Sequence, residues 1–234
     1  MSTLVAQLLT IRKELAIELQ RFLLLWRYQH NVPPFQLWWR LVIKRVVDVT
    51  GALVGLVVTA PLLGLIGLAI KLESKGGVLY AQERVGRFGE PFPMYKFRTM
   101  IVDAEAATGP VWASADDEDL RVTRVGGFLR RTHLDELPQL LNVLMGEMSL
   151  VGPRPERPCF VEELDRALHS YDKRLFVKPG ITGLAQVHYR YDQSVNDVRR
   201  KLRFDLLYVR RMCLMLDLRI LAWTAIMLAT GRSL

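Results

Sequence analysis

Two adjacent carboxylates, Asp135 and Glu136, stand in the stretch "RRTHLDELPQLLN" of a chain whose formal charge is +8. One reading is structural. In a capping box, "THLD" sets Thr132 at a helix start with Asp135 three residues on, where the helix dipole favours acids by roughly 0.3–1 kcal/mol. The other reading is chemical and rests on basic groups: Lys96 and Arg98 in "YKFRTM", Arg130 and Arg131 in "LRRT", Arg154 and Arg157 in "VGPRPER". Prolines on both sides of Arg154 restrict its backbone. Each cluster alone reads as a solvated face. Together they can line a phosphate site, because guanidinium forks match phosphate oxygens and a helix N-terminus adds donors. A carboxylate beside such a site can hold Mg2+, which takes oxygen ligands and substrate phosphates, or attack phosphorus to form an acyl phosphate. An adjacent pair permits both, provided cations offset its repulsion from a diphosphate.

The elements that must position these residues carry a membrane signature. The chain is 50% hydrophobic with mean hydropathy +0.15 and pI 9.7, which excludes disorder and points to anionic lipid or a phosphorylated substrate. Cys159 and Cys213 lie far apart and outside any metal-ligand spacing, so neither a disulfide framework nor zinc is indicated. Near the N-terminus, Leu4, Leu8, Ile11, Leu15, Phe22 and Trp26 fall at helical spacing among charges, an amphipathic helix suited to the protein's own core, a second subunit or a lipid surface. No small-residue cleavage site follows it, which speaks against a removed signal peptide. "VPPF" ends that helix.

Residues 49–70 form a charge-free run of 22, long enough at about 1.5 Å per residue to cross a hydrocarbon layer of about 30 Å. Pro61 lies inside this run, and Lys44, Arg45, Lys71 and Lys75 flank both ends. A kinked crossing and a helix that breaks at "TAP" and returns both fit; the second keeps both basic flanks on the cytoplasmic side. Beyond Gly76, "VLYAQERVG" and "FPMYKFRTM" form a strand pair about the turn "GRFGEP". "FLRRTHLDELPQLLNVLMG" and "ERPCFVEELDRALHSY" read as helices, and "DDED" at 116–119 as a solvated loop. The C-terminal stretch mixes basic groups with Leu, Met and Trp. Asp217 and Arg219 interrupt it, so helices lying in the lipid interface fit better than a second crossing, and its Leu- and Met-rich face suits no nucleic-acid duplex.

The succession "KRVVDV", "AQERVGRFGEPFPMYKFRTM", "FLRRTHLDELPQLLNVLMGEMSLVGPRPERP", "KPGITGLAQV" and "FDLLYVRRMCLMLDLRILAWT" resembles the bacterial sugar transferase family. These are monotopic polyprenyl-phosphate phosphoglycosyl transferases, and the likeness is to exopolysaccharide-type members, from about Lys44 to the C-terminus. The resemblance implies an α+β, predominantly α, monotopic protein on the cytoplasmic face of the bacterial inner membrane. Its parts are an N-terminal helical extension (1–40), a re-entrant helix broken at Pro61 (41–75), a cytosolic catalytic domain with a small β-hairpin (76–190) and C-terminal interfacial helices (191–234). It implies transfer of a sugar 1-phosphate from a UDP-sugar to polyprenyl phosphate, undecaprenyl phosphate in bacteria, with Asp135 as nucleophile and Glu136 as its partner toward Mg2+. Lys96, Arg98, Arg130 and Arg154 match basic positions around the substrate phosphates, and Arg190 falls where a further phosphate-binding Arg is expected. Membrane lipids and a second copy of the chain are the expected partners. "GLAQVHYRY" departs from the family's "GWAQVNGRN" in having Leu184 for Trp and Tyr189 for Gly. The rival is a catalytically inactive membrane-anchored scaffold or assembly subunit.

Overall fold

The computed structural model describes residues 2–30, 32–104, 120–189 and 195–230. Helix α1 (Ser2–Gln29) packs its last turns on the protein's own core: Leu25 is fully buried, Phe22 and Trp26 join the same cluster, and Gln29 Nε2 donates to Val209 O at 2.8 Å. Farther toward the N-terminus, residues 10–20 are exposed. Helix α2 (Pro34–Glu73) opens with a proline in its first turn, where a missing N–H is no loss.

Helix α2 is the one helix among the described residues long and apolar enough to cross a membrane. It runs without interruption through Pro61, whereas the sequence led us to expect a break there. A proline removes one hydrogen bond and adds a ring clash, which a long helix absorbs by bending. Thr59 Oγ1 bonds within the helix, donating to Gly55 O at 2.6 Å. One face of α2 meets the rest of the chain along its length. Ala52 packs with Phe92, Met94, Leu140 and Val143, and about four to five turns later Ile66 and Ile70 pack with Phe97 and Leu129. Gly51 permits this approach, since a Cβ there would lie 2.7 Å from Leu150 Cδ1. The opposite face leaves Leu53, Val54, Val57, Val58, Leu65 and Leu68 between 53% and 72% exposed, an apolar strip of the kind that marks a protein or lipid contact.

Strands β1 (Leu79–Val85) and β2 (Pro91–Phe97) form the expected antiparallel hairpin, with Leu79 opposite Phe97 and Val85 opposite Pro91. A second pair, β3 (Ser149–Val151) and β4 (Gly180–Thr182), is parallel and was not anticipated. The helix expected over the acidic pair is interrupted. Helix α3 (Arg124–Thr132) stops at His133, whose φ of 56° is left-handed; a single 3-10 turn (Leu134–Glu136) follows, then α4 (Gln139–Met145). Helix α5 (Pro158–Ala167) lies within the segment expected to be helical, and α6 (Leu184–His188), α7 (Val195–Arg211) and α8 (Leu214–Thr230) complete the order. The protein is mostly helical with small sheets, as the α+β reading expected in coarse form.

Both flanks of the apolar run are tied to this one body. Lys44 Nζ donates to Val151 O at 2.9 Å and to Asp217 Oδ2 at 2.8 Å. At the other end Arg98 donates to the carbonyls of Ser74 and Lys75.

Candidate active site

The acidic pair sits on the single turn between α3 and α4, and the turn is held by leucines on either side of it. Leu134 packs into the cluster of Ile66, Ile70, Phe97 and Leu129, while Leu137 packs into that of Ala52, Phe92, Met94 and Leu140. Left-handed His133 stops the incoming helix, and Pro138 sets the start of the outgoing one. The capping-box reading is thereby corrected. Thr132 is the last residue of α3, its Oγ1 donating back to Phe128 O at 2.9 Å. The threonine that caps a helix here is Thr123, whose Oγ1 accepts from Gly126 N at 2.9 Å. Asp135 therefore does not serve the fold as a cap.

The two carboxylates are in different electrostatic settings. Glu136 Oε1 accepts from Lys96 Nζ at 2.7 Å and from Arg154 Nη2 at 2.8 Å. Burial pushes the Glu136 carboxyl up, but the charges and hydrogen bonds of Arg154 and Lys96 outweigh burial and hold it well below the usual carboxylate range. Asp135 is 8% exposed, and no hydrogen bond from a described residue reaches its carboxylate. Burial raises its pKa; Lys96 pulls it back down and Glu136 adds to the rise. Neighbouring acids whose environments drive their pKa values apart carry different duties. Glu136 is a fixed anion that gathers cations, and Asp135 is an unencumbered one beside them.

Two of the expected basic residues converge here, and the others are placed differently. Lys96 projects from β2 and Arg154 from the loop after β3. Arg98 lies one residue past the end of β2, and its guanidinium closes the C-terminus of α2 by donating to Ser74 O and Ser74 Oγ, each at 2.9 Å, and to Lys75 O. It holds the end of α2 and does not meet the pair. Arg130, in the last turn of α3, donates through Nε to Thr99 Oγ1 at 2.9 Å. Arg190 and the acidic run 116–119 lie outside the described residues.

Asn142 is a site-building residue that the sequence reading missed. Fully buried on α4, it accepts from Tyr95 N at 3.0 Å and donates to Pro93 O at 2.7 Å, so it locks the strand carrying Lys96 to the helix that follows the acidic pair. An amide at a core-facing position of "LPQLLNVLM" was the available signal.

Among the described residues no three His, Cys, Asp or Glu side chains converge as a metal site. The donor set nevertheless suits Mg2+, which takes one or two carboxylates and completes its shell with water and substrate phosphates. Asp135 and the Glu136 carboxylate are the groups that would supply them.

A basic α+β body seated on a largely exposed apolar helix carries a buried acid pair, one carboxylate bonded to two cations and the other without a hydrogen bond from a described residue. A sequence profile of the bacterial sugar transferase family matches residues 39–231, and the chain belongs to that family. Three relatives are similar to it. The UDP-N-acetylgalactosamine-undecaprenyl-phosphate N-acetylgalactosaminephosphotransferase of Aeromonas hydrophila is 42% identical over 81% of this chain and 44% of its own length. The UDP-glucose:undecaprenyl-phosphate glucose-1-phosphate transferase of Caulobacter vibrioides is 44% identical over 80% and 70%. The undecaprenyl-phosphate galactose phosphotransferase of Salmonella typhimurium is 40% identical over 78% and 40%. The chain thus spans less than half the length of two of these three relatives.

Proposed function

We propose that the protein transfers a sugar 1-phosphate from a UDP-sugar to undecaprenyl phosphate on the cytoplasmic face of the bacterial inner membrane. The observation that carries this reading is the asymmetry of the pair: among the described residues Glu136 is bonded to two cations and Asp135 to none. An Asp135 oxygen attacks the sugar-bearing phosphorus of the donor. The bond from that phosphorus to the bridging oxygen breaks, UMP leaves with the electron pair, and an aspartyl phosphosugar remains. A phosphate oxygen of undecaprenyl phosphate then attacks the same phosphorus, restoring the Asp135 carboxylate and forming an undecaprenyl diphosphate sugar. Lys96 and Arg154, held on Glu136, set positive charge where phosphoryl oxygens gather it in the transition state. Asp135 and Glu136 are the residues that would hold Mg2+, which when bound would supply positive charge beside the donor phosphates.

The siting at the membrane is supported by α2. Lys44 and the Ser74–Lys75 backbone, at opposite ends of the apolar run, bond to the body that carries the acidic pair. A bilayer between those ends would have to separate contacts made within one folded unit, so a monotopic arrangement accommodates them better than a crossing. The relatives named above act on three different sugars, so the donor is identified by assay.

Purified protein supplied with UDP-glucose, UDP-galactose or UDP-N-acetylgalactosamine and undecaprenyl phosphate should release UMP with one of them. Initial rates at several acceptor concentrations should give parallel double-reciprocal lines, because the first product leaves before the acceptor reacts. Intersecting lines would mean direct transfer, and no UMP with any donor would leave an inactive scaffold.

Acid dependence follows from the raised pKa of Asp135. The nucleophile is the carboxylate, so kcat/KM for the donor falls as pH falls through that value, and the acid limb lies above the ordinary aspartate value of 3.8. Lys96→Ala removes an attraction that lowers the pKa, so the limb should move to higher pH. A limb that stays put or moves down contradicts Asp135 as the titrating group.

A further inference from the structure

The loop that presents Arg154 is held from behind by a buried ion pair with no part in the chemistry described so far. Arg174, on the 3-10 turn Tyr171–Phe176, is 6% exposed, and Asp205, on α7, is 4% exposed. Arg174 Nε donates to Asp205 Oδ2 at 2.9 Å, and Nη1 donates to Tyr171 Oη at 2.8 Å. Nη2 lies 2.9 Å from Asp205 Oδ2 and donates to the main-chain carbonyl of Arg154, also at 2.9 Å. One planar guanidinium is thus oriented by two side chains from behind and grips, in front, the residue whose own guanidinium rests on Glu136.

Two features separate this arrangement from ordinary core cement. Buried ion pairs are commonly replaceable by apolar side chains at little or no cost in stability, so a charged pair at this depth needs a reason beyond folding. The Arg154 loop is also not wedged in place on this side. A cavity of about 30 Å3, room enough for a water, is lined by Arg154, Arg174, Tyr171, Gln186 and Asp205 together with the apolar Ala185, Val198 and Leu202. With room there, the position of Arg154 depends on hydrogen bonds, and on this side the donor is Arg174. The flanking prolines limit the backbone of Arg154 but fix no distance to Glu136.

We propose that Arg174, oriented by Asp205 and Tyr171, is a positioning residue whose hydrogen bond to the Arg154 carbonyl sets the Arg154 guanidinium on Glu136. The inference rests on the reading of Asp135, Glu136 and Arg154 as the reacting site. Lysine cannot replace Arg174, because an ammonium on a flexible stem lacks the planar fork that reaches three acceptors in fixed directions.

The test is a double-mutant cycle on the full chain in lipid nanodiscs, reading UMP release from a radiolabelled UDP-sugar for wild type, Arg174→Lys, Arg154→Ala and the double variant. Arg174→Lys should lower the rate by roughly 30-fold when Arg154 is present and by less than about 3-fold when it is alanine, since residues acting through one another are not additive. Equal factors in both backgrounds overturn the proposal, because a general loosening of the fold slows every variant alike. Should Arg174→Lys not fold, Asp205→Asn takes its place in the same cycle: it keeps an oxygen for Nε but removes the charge, and its smaller loss should likewise vanish with Arg154→Ala. If Arg154→Ala itself retains wild-type activity, the role of Arg154 in the site falls, and this inference with it. Equal factors beside an Arg154→Ala that is itself slowed at least about 100-fold but still measurable overturn this inference alone.

Discussion

Asp135→Asn should abolish UMP release, by at least about 10³-fold, while leaving the protein as stable as the wild type or more so. The loss follows because an amide cannot displace UMP from phosphorus. The stability half follows from burial, which raises the Asp135 pKa in the folded state. A carboxyl that loses its proton less readily when folded favours the unfolded chain at any pH where the unfolded group is ionised. That penalty is full above the folded value and disappears as pH falls below the unfolded one. The isosteric amide carries no charge, so it escapes the penalty. A helix cap would behave oppositely, its loss costing about 0.5–2 kcal/mol with no direct effect on chemistry. Thermal melts in nanodiscs beside the UMP assay separate the two, and a folded Asp135→Asn that turns over substantially removes Asp135 from the reaction.

Arg154→Ala should produce the next largest loss, about 10²- to 10³-fold in the rate of the first step, the scale on which removal of one preorganised charge-stabilising group acts. Its side chain keeps 41% exposure, so solvent screens the Glu136 contact and the stability cost should stay near about 1 kcal/mol. Lys96 remains on Glu136 from the other side and prevents an orphaned carboxylate. Arg154→Lys should recover only part of the rate, because an ammonium lacks the fork that can hold Glu136 and a phosphate oxygen together. A rate within threefold of wild type for Arg154→Ala would show that Lys96 alone supplies the charge.

Much of this arrangement was legible in the sequence where a local pattern carries it. The hairpin announces itself through alternation and a Gly-rich turn, and the membrane helix through a run without charge. The acidic pair could be singled out, but its duty could not: Thr132 and Asp135 have the spacing of a capping box, yet Thr132 ends one helix instead of starting the next. Nothing local marks His133 as left-handed, since glycine is the usual sign, so 128–146 read as one helix. Lys96 and Arg98 share a face by strand periodicity, but β2 ends at Phe97 and Arg98 turns to the end of α2. Strands of three residues, such as β3 and β4, have no period to read. The contact of Arg174 with Arg154 and the tie from Asn142 to Pro93 join residues 20 and 49 positions apart, which no local pattern in one sequence can pair.

The central claim is a covalent phosphosugar on Asp135. Protein incubated with the productive UDP-sugar but no undecaprenyl phosphate, quenched in acid within seconds and examined by intact-protein and peptide mass spectrometry, should carry one added hexose phosphate, or its N-acetyl form. The adduct should map to the peptide containing Asp135, discharge when undecaprenyl phosphate is supplied before the quench, and be missing in Asp135→Asn. UMP release at wild-type rates with no adduct on any peptide, or an adduct that survives Asp135→Asn, would contradict the assignment.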